Sequence, residues 1–459
     1  MALGSKEIRD TIHGFVYRSD QEESLIDSKI FQRLRGIKQL AFANLVYPGA
    51  LHTRFDHSIG VMHIGGRMAD QLELSGEKKI IRLACLLHDI GHGPFSHVSE
   101  ELLEKFSPIS SDTEREEIHE KITCSIIKKS KELDLSDKER EKIIDLIQNN
   151  NQENITKGII TGPIDADKQD YLLRDSYYCG VKYGIFDLER LVESLTSIDV
   201  GIEKQIGIKE TGIHAVEQFV ISKYYMSTQV YRHKIRLVTD AMIVNALTLG
   251  ITEDKLQFLK DIYSFKDDNQ YIENYLLWDD NRIINEILFH VENGFCKKIF
   301  ENLKERKLFK SIFHKNLKEF EPIHRGQLSE LNKNKDLKES LKIEISKYLS
   351  KKLKQDILKE FILIVNYSIK SIRDDKSKDD IGKMLVKFDH ISQYKEFEEQ
   401  STLLASIRKQ ENEQYIGIYA PLEWKSEKNK KALREDFNKE IKDLIVDYIK
   451  NNEGKYGHK

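Results

Sequence analysis

Apolar residues recur at three- and four-residue spacing through most of the chain, separated by Lys and Glu, and this is the period of an amphipathic helix. Only six prolines in 459 residues interrupt the pattern, so a mostly α fold is expected. Lys78 to Leu87 reads as a mostly apolar helix, buried over much of its surface. A second helix is predicted from about His214 to Ile243, with Lys223, Ser227, Tyr231 and Lys234 in four-, four- and three-residue steps along one face. Strand signals are few: Ile198 to Ile208, Tyr415 to Tyr419 and Phe361 to Tyr367 predict small accessory hairpins or sheets. There is no internal repeat.

The character of the chain changes near residue 250. Nearly all the clustered His and Asp residues precede it, while Glu301 to Glu360 is rich in Lys and Glu and reads as amphipathic helices with a solvated charged face. The expected division is a chemistry-bearing core of residues 6–250 and an α-rich lobe of residues 251–459, with a small β element and a role in oligomerisation or regulation.

Composition narrows the options. Lys and Arg number 73 against 76 Asp and Glu, a formal charge of −3, so no global basic field favours nucleic acid, and any anion site must be local. No apolar leader and no membrane-length apolar run stand out, and the expectation is a soluble cytoplasmic protein. Cys85, Cys124, Cys179 and Cys296 form no CxxC pair, which points to reduced core residues.

Seven of the fifteen histidines lie between His52 and His119, and one opens the string His88-Asp89-Ile90-Gly91-His92-Gly93-Pro94-Phe95-Ser96-His97. Buried imidazoles and carboxylates are costly to desolvate unless paired or bound to a metal, so this density is hard to explain by packing. Neighbours on a helix diverge by about 100°. His88 and Asp89 can still converge on one ion where the helix ends, because Gly91 and Gly93 permit unwinding there. His57 and Asp167 are the candidates for completing the ligand set; taken alone, His57 is a capped or hydrogen-bonded histidine, and Asp165 or Asp167 is the cap of the helix starting there. Such His/Asp mixtures suit Mn, Fe, Zn, Ni or Mg, and the sequence does not choose among them.

The order His…His-Asp…Asp, with Asp10-Thr11-Ile12-His13-Gly14, Phe31-Gln32-Arg33-Leu34-Arg35, Tyr47-Pro48-Gly49-Ala50, Arg54 to Ser58 and Asp165 to Tyr171, resembles the HD-domain deoxynucleoside triphosphate triphosphohydrolases, without their sterile alpha motif. The resemblance covers roughly Lys6 to Leu249. It implies a helical metal-dependent phosphohydrolase core that releases deoxynucleoside and intact triphosphate from a dNTP. It also implies His57, His88, Asp89 and Asp167 as metal ligands, and His92, His97, Glu100 and His119 as acid, base and phosphate contacts. Arg54, Lys168 and Lys223 are then expected on phosphates, Tyr171 and Asp175 on the sugar 3′-hydroxyl, Gln39 and Leu40 against a ribose 2′-hydroxyl, and Tyr231 and Arg232 near sugar and base. Without the resemblance, core packing would explain Tyr171 and Leu40. Lys223 and Ser227 stand where the mammalian pattern has arginine and histidine.

The relatives are often nucleotide-activated oligomers, and Lys6, Asp27, Gln32 and Arg35 match the guanine-nucleotide activator positions, which implies a dimer or tetramer responsive to GTP or a dNTP. Two alternatives remain open: an HD-superfamily phosphodiesterase, nuclease or nucleotide phosphatase, and a non-catalytic nucleotide-sensing subunit. No Gly-Lys-Ser/Thr phosphate loop and no Gly-x-Ser-x-Gly elbow supports an ATPase or a serine hydrolase.

Overall fold

Helix starts follow capping chemistry. Ser19, Ser136, Asn154, Asp165 and Asp187 each accept a backbone N–H of the first turn, opening helices Asp20–Asp27, Asp137–Ile147, Ile155–Ile160, Ala166–Cys179 and Leu188–Ser194. The computed structural model describes residues 6–108, 118–148, 154–331, 334–369, 381–388, 393–408, 413–423 and 427–452. Among the described residues the architecture is mostly α with three small sheets, as the periodicity predicts.

The expected apolar helix runs over Lys78–Leu87 and lies against the helix Arg54–Gln71. Gly65 permits the approach, since a Cβ there would collide with the Cys85 sulfur. The segment around Ile198 forms an antiparallel hairpin of Leu195–Val200 and Glu203–Lys209, and the β signals near the C-terminus become Leu363–Ile369 and Glu413–Ala420. Three strand regions give too weak a pattern to be expected: the hairpin Lys6–Asp10/Gly14–Arg18, the strand Lys310–Asn316, and the short pair Leu385–Lys387/Tyr394–Glu396.

The division at residue 250 is not the one the chain adopts. One compact unit comprises Met1–His233, Leu256–His290 and Ile372–Gln410; the other comprises Lys234–Lys255, Val291–Ser371 and Glu411–Lys459. The reason is strand pairing and packing over long separations. In the first unit Leu385–Lys387 adds in parallel to Glu203–Lys209, with Ile208 opposite Val386. In the second, the sheet ordered Lys310–Asn316, Glu413–Ala420, Leu363–Ile369 buries one face against helices Lys335–Leu353 and Glu427–Asn451 through Ile312, Leu341, Ile345, Ile416, Ile418, Phe437 and Ile441.

The single long helix predicted from His214 to Ile243 is broken. Ile213–Tyr225 passes into a π-helical turn, Met226–Tyr231, and a new helix begins at Lys234. The continuous helical stripe predicted for Lys223, Ser227, Tyr231 and Lys234 is therefore interrupted before Lys234. The second of these helices, Lys234–Thr252, is apolar and long enough to cross a membrane by length and composition, contrary to the sequence reading, but half of that stretch is buried in the protein. The four cysteines are free and buried.

Candidate metal centre and proton-transfer cluster

Three helices bring the predicted ligands together. His57 lies in the first turn of Arg54–Gln71, His88 caps the C-terminus of Lys78–Leu87, and Asp167 is in the first turn of Ala166–Cys179. One ligand atom from each lies within 4.8 Å of the others. His57 Nε2 is 2.9 Å and His88 Nε2 3.8 Å from Asp167 Oδ1, and Asp89 stands beside them with Oδ2 3.7 Å from His57 Nε2 and Oδ1 3.3 Å from His88 Nε2.

The donor set fits a divalent cation on three observations. His88 Nδ1 is tied to the Cys85 carbonyl at 2.7 Å, leaving Nε2 buried with no hydrogen-bond partner. His57 Nδ1 is bound to Asp170 Oδ2 at 2.8 Å, so its Nε2 faces the cluster. Burial, the largest single influence, would depress the His57 imidazole, yet Asp167 and Asp170 raise it to about 10, so the pocket stabilises positive charge at this point.

Asp170 was not singled out as a site residue from the sequence, and it anchors this side. Its carboxylate receives Arg174 through Nε at 2.8 Å and Nη2 at 2.9 Å, and lies 2.6 Å from His13 Nε2. Arg174 Nη1 continues to Asp10 at 2.9 Å. The N-terminal hairpin, which carries Asp10 and His13, is thus wired to a candidate ligand, His57. Gly60 makes the packing possible, because a Cβ there would collide with the Asp170 carboxylate and the Arg174 guanidinium. The only sequence signal was spacing: Asp167, Asp170 and Arg174 share one face at three- and four-residue steps.

A second cluster surrounds Glu100. His97 Nδ1 is 3.0 Å, His119 Nδ1 3.1 Å and His92 Nδ1 3.5 Å from Glu100 Oε1, so His97 and Glu100 pair across one helix turn and His119 joins them. The rings of His92 and His119 stack at 4.1 Å. His119 is raised despite burial, because Glu100 favours its charged form, whereas burial and the nearby Arg54 and His119 hold His92 well below the ordinary imidazole range. Glu100 is held well below the carboxylate range against its own burial by His97 and His119. His97 is the outlet to solvent, with a side chain 58% exposed.

Asp89 joins the two clusters. Its Oδ1 is 3.3 Å from His92 Nε2, and its Oδ2 receives the Arg54 guanidinium. Burial acts to raise Asp89, but Arg54, His88 and His92 together hold it well below the usual range.

A scan against known families matches residues 54–176 to the HD domain and residues 186–443 to the HD associated region. The chain belongs to the HD-domain family. Among relatives of this HD-domain protein, an uncharacterized protein of Methanocaldococcus jannaschii is 37% identical over 66% of the chain and 64% of its own length. A protein of Dictyostelium discoideum named as a deoxynucleoside triphosphate triphosphohydrolase homolog is 32% identical over 69% of the chain and 60% of its own length. The chain thus spans less than two thirds of these relatives. Among solved structures, a hypothetical protein of Aquifex aeolicus superposes with a TM-score of 0.67 at 29% identity, covering 95% of the chain and 100% of its own. A Bacteroides thetaiotaomicron phosphohydrolase reaches a TM-score of 0.70 at 24% identity over 91% and 100%, which supports the fold alone.

In this HD-domain protein the expected sugar and phosphate residues are only partly gathered. Asp175 Oδ2 accepts the Tyr231 hydroxyl at 2.7 Å, its Oδ1 lies 2.7 Å from His52 Nε2, and Tyr171 faces Tyr231 at 6.2 Å. His52 therefore orients Asp175. Gln39 and Leu40 are buried, and Gln39 Oε1 has no hydrogen-bond partner. Arg54 is committed to Asp89 and Ser96, and Lys168 to Gly162 O at 2.9 Å and Asp165 at 2.6 Å. Lys223 is exposed and Arg232 half-buried. Of the expected activator residues, Gln32 and Arg35 pair at 2.9 Å, Lys6 pairs with Glu23, and Asp27 is exposed at the end of its helix.

Proposed function

We propose that the chain hydrolyses deoxynucleoside triphosphates to deoxynucleoside and inorganic triphosphate, using a divalent metal. The observation that carries this reading is the junction at Asp89 of the candidate ligand cluster with the Glu100 cluster, and the His52–Asp175–Tyr231 constellation supports it. The name of the Dictyostelium relative supports the substrate class.

A cation held by His57, His88, Asp89 and Asp167 supplies Lewis acidity and lowers the pKa of a water at the site. The protein's own groups do the rest. Tyr231 and Asp175 present a phenol and a carboxylate to a sugar hydroxyl, and the buried Gln39 oxygen offers an acceptor beside Leu40. The ion pair of His119 and Glu100 keeps a proton on the imidazole, available to the nucleoside oxygen that leaves phosphorus. His97, sharing the same carboxylate oxygen and facing solvent, replaces it. Activation by GTP or a dNTP through Lys6, Asp27, Gln32 and Arg35, in a homo-oligomer, is part of the same proposal.

Incubation of the protein with each dNTP and NTP, singly and mixed, with Mn, Mg or Fe, tests it when the products are resolved. Inorganic triphosphate with deoxynucleoside is the expected result; monophosphate, pyrophosphate or shortened oligonucleotide overturns it. Sedimentation with and without nucleotide tests the activation, which unchanged mass and linear kinetics would sink.

A further inference from the structure

The loop that carries His92 and leads into His97 adopts an unfavourable backbone. Phe95 and Ser96, neither of them glycine, have φ of +67° and +58° in succession. Such a turn persists only where its surroundings hold it. Arg54 binds the Ser96 hydroxyl through Nε at 2.8 Å, which secures one side.

The other side is held from far along the chain. Asp280 opens the helix Asp280–Asn285 and is 2% exposed. Its Oδ1 accepts the Phe95 N–H at 2.6 Å, and its Oδ2 accepts the Lys38 N–H at 3.1 Å. One carboxylate therefore bridges two segments: the histidine loop, and the stretch that continues through Gln39 and Leu40 to Ala41, itself at φ +46°. The neighbours of Asp280 reinforce the grip. The Tyr275 hydroxyl donates to Gly91 O at 2.9 Å, and a Cβ on Gly93 would lie 2.7 Å from that same hydroxyl oxygen. Arg33, just before Lys38, donates to His92 O at 3.0 Å and to Trp278 O at 2.8 Å.

We propose that Asp280 is a positioning residue that fixes the proton-transfer loop and the Gln39–Leu40 segment in one mutual register, so that turnover and sugar discrimination are set by the same buried carboxylate. The residue lies outside the HD match and inside the HD associated region. Asp280 touches none of the groups that would react. Its effect passes through the backbone N–H groups of Phe95 and Lys38. The kinetic part of this inference rests on the triphosphohydrolase reading; the structural part does not.

Hydrogen exchange by mass spectrometry on wild type, D280A, D280N and Y275F, each at matched metal content, separates the two. D280A is expected to accelerate exchange in peptides covering both 90–97 and 36–41, D280N to do so partially, and Y275F to affect only 90–97. In kinetics, D280A is expected to lower kcat by about 10²-fold, the scale of an ångström-level misplacement, and to lower the ratio of kcat/KM for dNTP over NTP. Should D280A fail to fold, D280N carries the test. Unchanged protection of both peptides in a folded D280 variant overturns the proposal, as does a fall in kcat that leaves the deoxy-to-ribo ratio intact. A wild type that hydrolyses no dNTP refutes the function proposed above and leaves the exchange comparison to decide the clamp.

Discussion

The two clusters that meet at Asp89 are built on opposite principles. On the candidate metal side three of the four proposed ligands have a rigid backing: His57 through Asp170, Arg174 and Asp10, His88 through the Cys85 carbonyl, and Asp89 through Arg54. On the proton-transfer side three imidazoles share one oxygen of Glu100, and the loop beneath them is secured by backbone hydrogen bonds to Asp280, Tyr275 and Arg33. A cation site gains from fixed donors, whereas proton transfer needs a protonated donor within hydrogen-bond reach of its acceptor. Asp170 divides its two oxygens among Arg174, His13 and His57, whereas the three imidazoles crowd onto the one Glu100 oxygen, Oε1.

The strongest way to break the comparison is at a ligand. H88A is expected to reduce turnover to background and to lose bound metal, read by elemental analysis; retained metal would show that His88 is not a ligand. Next, E100Q is expected to lower kcat by about 10²–10⁴-fold while metal content stays at the wild-type level, so loss of metal would dissolve the distinction between the clusters. D170N should weaken metal affinity by about 10–100-fold, with most of the turnover recovered at saturating metal. Failure to recover would mean that Asp170 acts on the chemistry directly.

The smallest effect concerns the tether of the proton side. Burial raises the Asp280 carboxyl to about 6, with Asp279 adding to the rise and the Phe95 and Lys38 N–H groups and the Lys38 ammonium opposing it; the Arg33 guanidinium also faces it. The native state therefore binds the extra proton between roughly pH 4 and 6, and the stability this contributes is lost as pH rises through 6. D280N does not titrate, so its stability relative to wild type should improve by on the order of 2 kcal/mol between pH 4.5 and 7.5. Urea unfolding at the two pH values measures this, and a flat difference contradicts it.

How much the sequence disclosed depended on the range of the interactions. Local signals held: Lys78–Leu87 begins and ends where its apolar pattern does, Asp165 caps its helix, and the His97–Glu100 pair follows from one helical turn. His57, His88 and Asp167, which the resemblance implies as ligands, lie close together. The features that stayed hidden were those needing a distant partner. Asp170 and Arg174 look like a solvated ion pair until His13 and Asp10 cover them, and Asp280 looks like an ordinary first-turn acid until Phe95 and Lys38 reach it. The break at Arg232–His233 was missed because apolar spacing continues across it, and Leu385–Lys387 because three residues carry no period.

The parallel pairing of Leu385–Lys387 with Glu203–Lys209 has a practical corollary. A fragment ending near residue 250 would carry every proposed metal ligand and still leave Glu203–Lys209 with a bare edge, open to pairing with other chains. It would also lack Tyr275 and Asp280. The proposed site of this protein is therefore not a cassette that can be cut out or transplanted by its family boundaries.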